Sequence, residues 1–182
     1  AAAVGAKKGK KHLITTNFEH HAVLHSFQAL EKQGFEVTYL PVDSEGLISA
    51  EQVKAAIRPD TALVSIMYAN NETGVIFPIE EVGKICKKVK VLFHTDAVQA
   101  PGKLKINVKE MNVDFLSLSA HKLHAPKGIG MLYIKHRTPF KPLIIGGHQE
   151  RKRRGGTENV PYIIGFGKAA EMSLSCFSEE NT

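Results

Sequence analysis

Short apolar runs rich in β-branched residues alternate along the chain with segments of helical periodicity, and this alternation most constrains the fold. Parallel strands need such an order, because each connection must cross the sheet and usually does so as a helix. We therefore predict an α/β domain with a mostly parallel sheet and crossover helices. The predicted strands are Leu13–Thr16, Glu36–Leu40, Leu63–Tyr68, Val91–His94, Phe115–Ser119 and Met131–Ile134.

The segments between these strands carry helix signals. His21–Gln33 has helical periodicity, and Ser49 with Gln52 forms a capping box for a second helix that ends near Ile57. Proline is common in a first helical turn, so Pro78 marks the start of a third helix. That helix is predicted at Ile79–Val89, and a last one at about Tyr162–Leu174, with Ile163, Phe166, Ala170 and Leu174 on one face.

The stretch from Lys135 to Pro161 differs from the rest of the chain. It contains two further prolines, two Gly-Gly pairs and a basic cluster, and no helical or strand periodicity. Such composition is typical of an extended connection that carries function rather than of a packed element.

Composition limits the class of protein. The chain has 182 residues, 43% of them apolar, which is enough for a single domain with a buried core. Its longest apolar runs, such as Ala62–Met67, are far shorter than a membrane span of about 20 residues. We expect a soluble protein of a reducing compartment, either the cytoplasm or an organelle matrix.

Two cysteines are too few for a disulfide framework or a zinc-ligand cluster, and no metal site is predicted. Cys86 falls on the same helical stripe as Val82 and Val89, so we expect a packed thiol rather than a catalytic one. Cys176 lies near the end of the chain and carries no assignment.

Polar side chains follow three consecutive predicted strands. Ligands bind at the carboxyl edge of open parallel sheets, so these positions are candidates for a shared site. The segment Ser-Ala-His-Lys, which ends at Lys122, directly follows a buried strand. This position predicts a poorly hydrated amine with a lowered pKa, able to attack carbonyls. The strand-end groups are Asn70, Asn71 and Glu72, then Asp96 and Gln99, then Ser119, His121 and Lys122.

An aldehyde-bearing cofactor with a phosphate and a ring nitrogen would use every group in this set. The lysine would form the Schiff base, and an aspartate such as Asp96 would pair with the pyridinium nitrogen so that the ring acts as an electron sink. The remaining candidates are Ser119 and His121 for the phosphate, and Gln99 and Asn71 for the ring hydroxyl.

Six stretches in order resemble the cysteine desulfurase family, the NifS-like group of the class V aminotransferases. The similarity runs from about Lys11 to Glu171. The stretches are Thr16–His20, Ala69–Gly74, His94–Gln99, Ser119–Lys122, Pro126–Gly130 and Arg154–Asn159.

The resemblance implies the large domain of a fold-type I pyridoxal-phosphate transferase, with Lys122 as the Schiff-base lysine and Asp96 as the pyridinium partner. His20 would stack over the ring and take part in proton transfer, and Thr157 would reach the phosphate of a neighbouring subunit in a homodimer. By the same resemblance, Asn71 and Gln99 would contact the ring oxygen or the substrate, and Ser119 and His121 the phosphate.

The activity that the resemblance implies is conversion of L-cysteine to L-alanine with formation of an enzyme persulfide. The sulfur would pass to an acceptor or scaffold protein for iron–sulfur cluster assembly or other sulfur delivery. Three family features have no counterpart here: a glycine-rich phosphate-binding turn, the persulfide-forming cysteine and the arginine that binds the substrate carboxylate. We therefore expect residues 1–182 to be part of the cofactor-binding large domain, without the small domain and inactive alone.

Three alternatives remain. A selenocysteine lyase shares the fold and the cofactor and differs in the chalcogen it accepts. The net charge of +6 and the basic run Glu150–Arg154 also allow a nucleic-acid-binding α/β domain, although no aromatic residues interleave with that run. The third alternative is an α/β scaffold whose strand-end polar residues are caps.

Overall fold

The computed structural model describes the backbone of residues 9–180 and the side chains of residues 9–175. These residues form a six-stranded sheet with the order β2-β1-β3-β4-β5-β6. Strands β1 to β5 are parallel, and β6 is antiparallel to β5, which confirms the predicted mostly parallel sheet. The strands are β1 (His12–Thr16), β2 (Glu36–Leu40), β3 (Thr61–Ser65), β4 (Leu92–Asp96), β5 (Phe115–Ser119) and β6 (Gly130–Ile134).

All four predicted helices are present. The last is longer than predicted at both ends, and it starts with a proline in its first turn. A 3-10 turn, Ala120–Leu123, follows β5, and the single turn Gln149–Lys152 has left-handed backbone angles at its centre. The helices are α1 (His21–Glu31), α2 (Ala50–Ala56), α3 (Ile79–Val89) and α4 (Val160–Glu180).

Alternate residues of each strand divide the core into two layers, as the pleat of a strand requires. On one face, side chains such as Ile14, Val64 and Phe93 pack with residues of α2 and α3. On the other face, their sequence neighbours, such as Leu13 and Leu63, pack against α1. Both faces of the central strands are thus covered, which leaves the strand ends as the place for polar chemistry.

Local signals explain where two of the helices start. Ser49 and Gln52 form the predicted capping box, with the Gln52 N–H donating to Ser49 Oγ over 3.1 Å and the Ser49 N–H donating to Gln52 Oε1 over 2.7 Å. Helix α3 follows Pro78 and has acidic residues in its first turn and lysines in its last, which suits the helix dipole.

The face predicted for α4 is only partly correct. Phe166 and Ala170 are half-buried, but Ile163 is 42% exposed and Leu174 is 78% exposed. Small residues make the close approach instead, because a Cβ on Gly165 would lie 3.2 Å from the ring of Pro126. Helix α4 therefore packs by its small residues against the 3-10 turn and the loop after it.

Other expectations concern cysteines, metals and membranes. Cys86 is 1% exposed and packed in the core, as predicted, and burial raises its pKa to about 12. The side chain of Cys176 lies outside the described residues. Among the residues that the structure describes, no helix is long and apolar enough to cross a membrane, and no group of three or more histidine, cysteine or acidic side chains is placed to hold a metal ion.

Candidate functional site at the carboxyl edge of the sheet

Two predicted site residues end neighbouring strands. Asp96 is the last residue of β4, and Ser119 is the last residue of β5. Asp96 pairs in register with Ser117, so Ser119 lies two residues further along the same edge. Asp96 was expected just beyond its strand, but it pairs within the sheet, whereas Ser119 ends its strand as predicted.

The Asp96 carboxyl is half-buried and has a fixed orientation. Its Oδ1 accepts the Val98 N–H over 3.0 Å. Burial raises the pKa of Asp96 above its ordinary value, while the Val98 N–H and the nearby His20 act in the opposite direction. His20 and Asp96 therefore lie within electrostatic reach of each other, although they are far apart in sequence.

His20 occupies the turn between β1 and α1 and caps that helix. Its Nδ1 accepts the Ala22 N–H over 3.1 Å, so a neutral His20 ring carries its proton on Nε2. The side chain is exposed. The capping bond thus fixes which ring nitrogen is available to a ligand.

The segment after β5 holds a second pair. Ser119 Oγ lies 2.8 Å from Nδ1 of His121, within hydrogen-bond distance. Lys122 follows in the 3-10 turn. The expectation of a poorly hydrated Lys122 is wrong for the described residues, because that turn leaves the sheet after Ser119 and the side chain is exposed. Lys122 lines an open cleft with Lys103, His124 and Gly165.

The other predicted residues lie further apart. Asn71 is exposed in the loop after β3, and Gln99 is half-buried in the loop after β4. Thr157 is exposed and lines a different cavity, together with Arg153 and Arg154. The structure therefore places Asp96 near His20 and pairs Ser119 with His121, whereas Thr157 lies with the basic segment.

Glu19 was missed by the sequence predictions. It is only 6% exposed, and its Oε1 accepts the Met67 N–H over 2.6 Å and the Thr16 hydroxyl over 3.5 Å. Its Oε2 is buried and has no hydrogen-bond partner among the described residues. Burial, and to a lesser extent the charge of Asp96, raise the pKa of Glu19 to about 8. The one feature of the sequence that could have pointed to Glu19 is its position directly before His20.

A row of polar groups below the site was also missed. His94 Nδ1 lies 2.8 Å from Ser65 Oγ on β3, and His94 Nε2 lies 2.9 Å from Ser117 Oγ on β5. Burial lowers the pKa of His94 to about 4, so the ring is neutral near pH 7. One imidazole thus links three neighbouring strands beneath Asp96, which lies two residues further along β4.

The aminotransferase class-V family model matches residues 1–180. The chain belongs to this family. Cysteine desulfurase IscS of Clostridium botulinum (strain Hall) is 55% identical over 179 residues, which are 98% of this chain and 45% of that protein. Cysteine desulfurase 2 of Trichormus variabilis is 58% identical over 94% of this chain and 43% of its own length.

Two solved structures show the same fold as this chain. A NifS-like protein superposes with a TM-score of 0.93 at 47% identity, over 98% of this chain and 49% of that one. SspA in complex with cysteine gives a TM-score of 0.89 at 48% identity, over 93% of this chain and 49% of that one. The likeness confirms the predicted fold, and the chain spans about half the length of the relatives it matches.

Proposed function

We propose that the whole protein is a pyridoxal-phosphate-dependent cysteine desulfurase, which converts L-cysteine to L-alanine and transfers the sulfur to a cysteine outside these 182 residues. The observation that carries the proposal is the grouping of polar residues at one sheet edge in a chain 55% identical to a cysteine desulfurase. Asp96 and His20 lie near each other there, and Ser119 pairs with His121 ahead of Lys122.

The residues present fit this cofactor. Asp96 has one fixed N–H partner and further acceptor capacity, which suits a protonated ring nitrogen. Ser119 and His121 offer hydroxyl and imidazole groups, which suit an anionic phosphate. Lys122 supplies the amine that would hold the cofactor covalently. When bound, pyridoxal phosphate supplies an electron sink for negative charge formed at the substrate Cα.

The residues of this chain then have distinct tasks. Once the substrate amine has displaced it from the cofactor, the free Lys122 amine would take the Cα proton of the substrate and later return a proton. The Asp96 carboxylate would stabilise positive charge on the ring nitrogen. His20, whose Nδ1 is engaged with Ala22, presents Nε2 as the atom that can hold or release a proton.

We propose that residues beyond this chain complete the site. Lys122 is exposed in the described residues. Because a desolvated amine is the better nucleophile, burial of Lys122 by the remainder of the protein would activate it. Residues 1–182 would then be part of the cofactor-binding large domain. The whole protein would act as an intracellular homodimer in which Thr157 reaches the partner's phosphate, and sedimentation velocity of the full-length protein tests that dimer.

The test of the proposed function is a comparison of lysine variants in the full-length protein. We expect the wild type with pyridoxal phosphate to show a visible absorption band that borohydride abolishes, with the reduced cofactor attached to the Lys122 peptide in mass spectrometry. Lys122→Ala should lose both signals. Lys103→Ala, which removes another exposed lysine from the same cleft, should keep them.

Two outcomes of this comparison contradict the proposal. If Lys122→Ala keeps the band and a reducible adduct, another residue holds the cofactor. If the wild type binds the cofactor but releases no alanine from L-cysteine, the reaction is wrong. Parallel turnover of L-selenocysteine distinguishes a desulfurase from a selenocysteine lyase.

A further inference from the structure

The turn of residues 17–20, which presents His20, is tied to a neighbouring loop. The Phe18 N–H donates to Thr16 Oγ1 over 3.2 Å, which closes the turn locally. Asn70 Nδ2 donates to the Phe18 carbonyl over 3.1 Å, which links the turn to the loop after β3. The position of His20 thus depends on contacts from outside its own helix.

Glu19 provides a second tie between the same two regions. Its Oε1 accepts the N–H of Met67, two residues past the end of β3, over a short 2.6 Å. It also accepts the Thr16 hydroxyl over 3.5 Å. One buried carboxyl oxygen therefore joins the end of β1, the residue before His20 and the chain after β3.

Stability alone does not account for this acid. Burial of a carboxyl is costly unless all of its polar atoms are paired, and Glu19 Oε2 has no partner among the described residues. The pKa of Glu19, raised by burial to about 8, keeps most of the group neutral at pH 7. A polar side chain that costs folding energy beside a functional residue points to a role at the site.

We propose that Glu19 is a positioning residue that fastens the turn of residues 17–20 to the chain after β3 and thereby sets the place of His20 relative to Asp96. The inference rests on the proposed function, in which His20 faces the cofactor. Glu19 acts through its Oε1 acceptor, so a neutral side chain with the same oxygen can replace it.

The experiment uses four variants of the full-length protein: Glu19→Gln, Glu19→Ala, His20→Ala and the double variant Glu19→Ala/His20→Ala. Amide hydrogen exchange, read by mass spectrometry in cofactor-free protein, follows Met67 and Ala22. Glu19→Ala should speed exchange at Met67 by roughly fivefold, because one hydrogen bond is lost there, and should also raise exchange at Ala22. Glu19→Gln should keep both amides protected, because its Oε1 still accepts.

Turnover of L-cysteine supplies the coupling test. Glu19→Ala should lower kcat at least about tenfold with His20 present and less than about twofold in the His20→Ala background, because the two residues act as one unit. Glu19→Gln should stay within about threefold of the wild type. Glu45→Ala, which removes an exposed carboxylate from a loop, is the matched control and should change neither readout.

Three results overturn the positioning role. One is unchanged Met67 exchange in Glu19→Ala. Another is additive loss of kcat in the double variant. The last is a Glu19→Gln variant as impaired as Glu19→Ala with Met67 still protected, which would mean that the acidic proton itself is needed. If the wild type does not turn over L-cysteine, the proposed function fails, while exchange at Met67 and Ala22 still decides whether Glu19 fastens the turn.

Discussion

Replacement of Gly83 by alanine should destabilise the protein, although the same change inside a helix normally stabilises it. Gly83 lies in α3 and faces the loop that leads into β5. A Cβ at this position would overlap the carbonyl oxygen of Met111 and lie 3.0 Å from its carbonyl carbon. Because both contacts are backbone atoms, a side-chain rotation cannot relieve them.

The expected size follows from two opposing effects. Alanine gains about 1 kcal/mol over glycine in a helix interior. Overpacking against an element that cannot yield costs about 3 kcal/mol, the upper end of the usual range, since the overlap is with main chain. The net loss in the free energy of unfolding is therefore about 2 kcal/mol for Gly83→Ala.

Urea unfolding followed by circular dichroism measures this difference in the full-length protein. Gly167→Ala is the matched control, because Gly167 also lies inside a helix but a Cβ there meets nothing within 4 Å. The control should be stabilised by up to about 1 kcal/mol. Stabilisation of Gly83→Ala by a similar amount would refute the close approach of α3 to Met111.

Two further predictions concern buried polar groups. Ser117→Ala should cost about 1–3 kcal/mol in the free energy of unfolding, because it leaves His94 Nε2 without its partner. The control Ser26→Ala, at an exposed position, should change that free energy by less than about 0.5 kcal/mol. Equal losses for the two variants in urea unfolding would contradict the role of the Ser65–His94–Ser117 hydrogen bonds in stability. Folded Glu19 binds its proton more tightly than the unfolded chain does, so its contribution to stability is full below pH 4.5 and is lost as pH rises through about 8. Glu19→Gln should remove that part of the pH slope, up to about 1.4 kcal/mol per unit, and an unchanged slope would show that Glu19 is ionised throughout.

Periodicity predicted the order and type of the elements well, but it did not locate every strand end. The predicted strand Leu63–Tyr68 is Thr61–Ser65 in the structure. The Ile66 and Tyr68 N–H groups still donate to carbonyls of β4, at 3.2 Å and 2.8 Å, so the backbone remains extended past the strand. An apolar run in the sequence indicates which residues are buried, and here the buried residues continue past the point where regular strand pairing ends.

The residues of the candidate site were predicted from their type and their position after the strands. The predictions of which of these side chains are buried were wrong. Lys122 was expected to be shielded because a buried strand precedes it, yet the next turn carries it to the surface of the described residues. Glu19 was overlooked because, in the sequence, a glutamate next to a histidine looks like an ordinary exposed residue of a turn. Its burial depends on Met67, 48 residues away, and a local pattern does not contain that contact.

The reversed direction of β6 determines how the long connection after it must travel. Ser119 pairs with Gly130, and Phe115 pairs with Ile134, so the chain leaves the site edge and arrives about 14 Å away at the opposite edge. To bring Thr157 back beside Gly130 and Met131, the connection has to run along the outer margin of the sheet. Because β6 is the last strand of the described sheet and Met131 and Leu132 are 45% and 44% exposed, this margin is open to pairing with another chain or with further residues of the same protein.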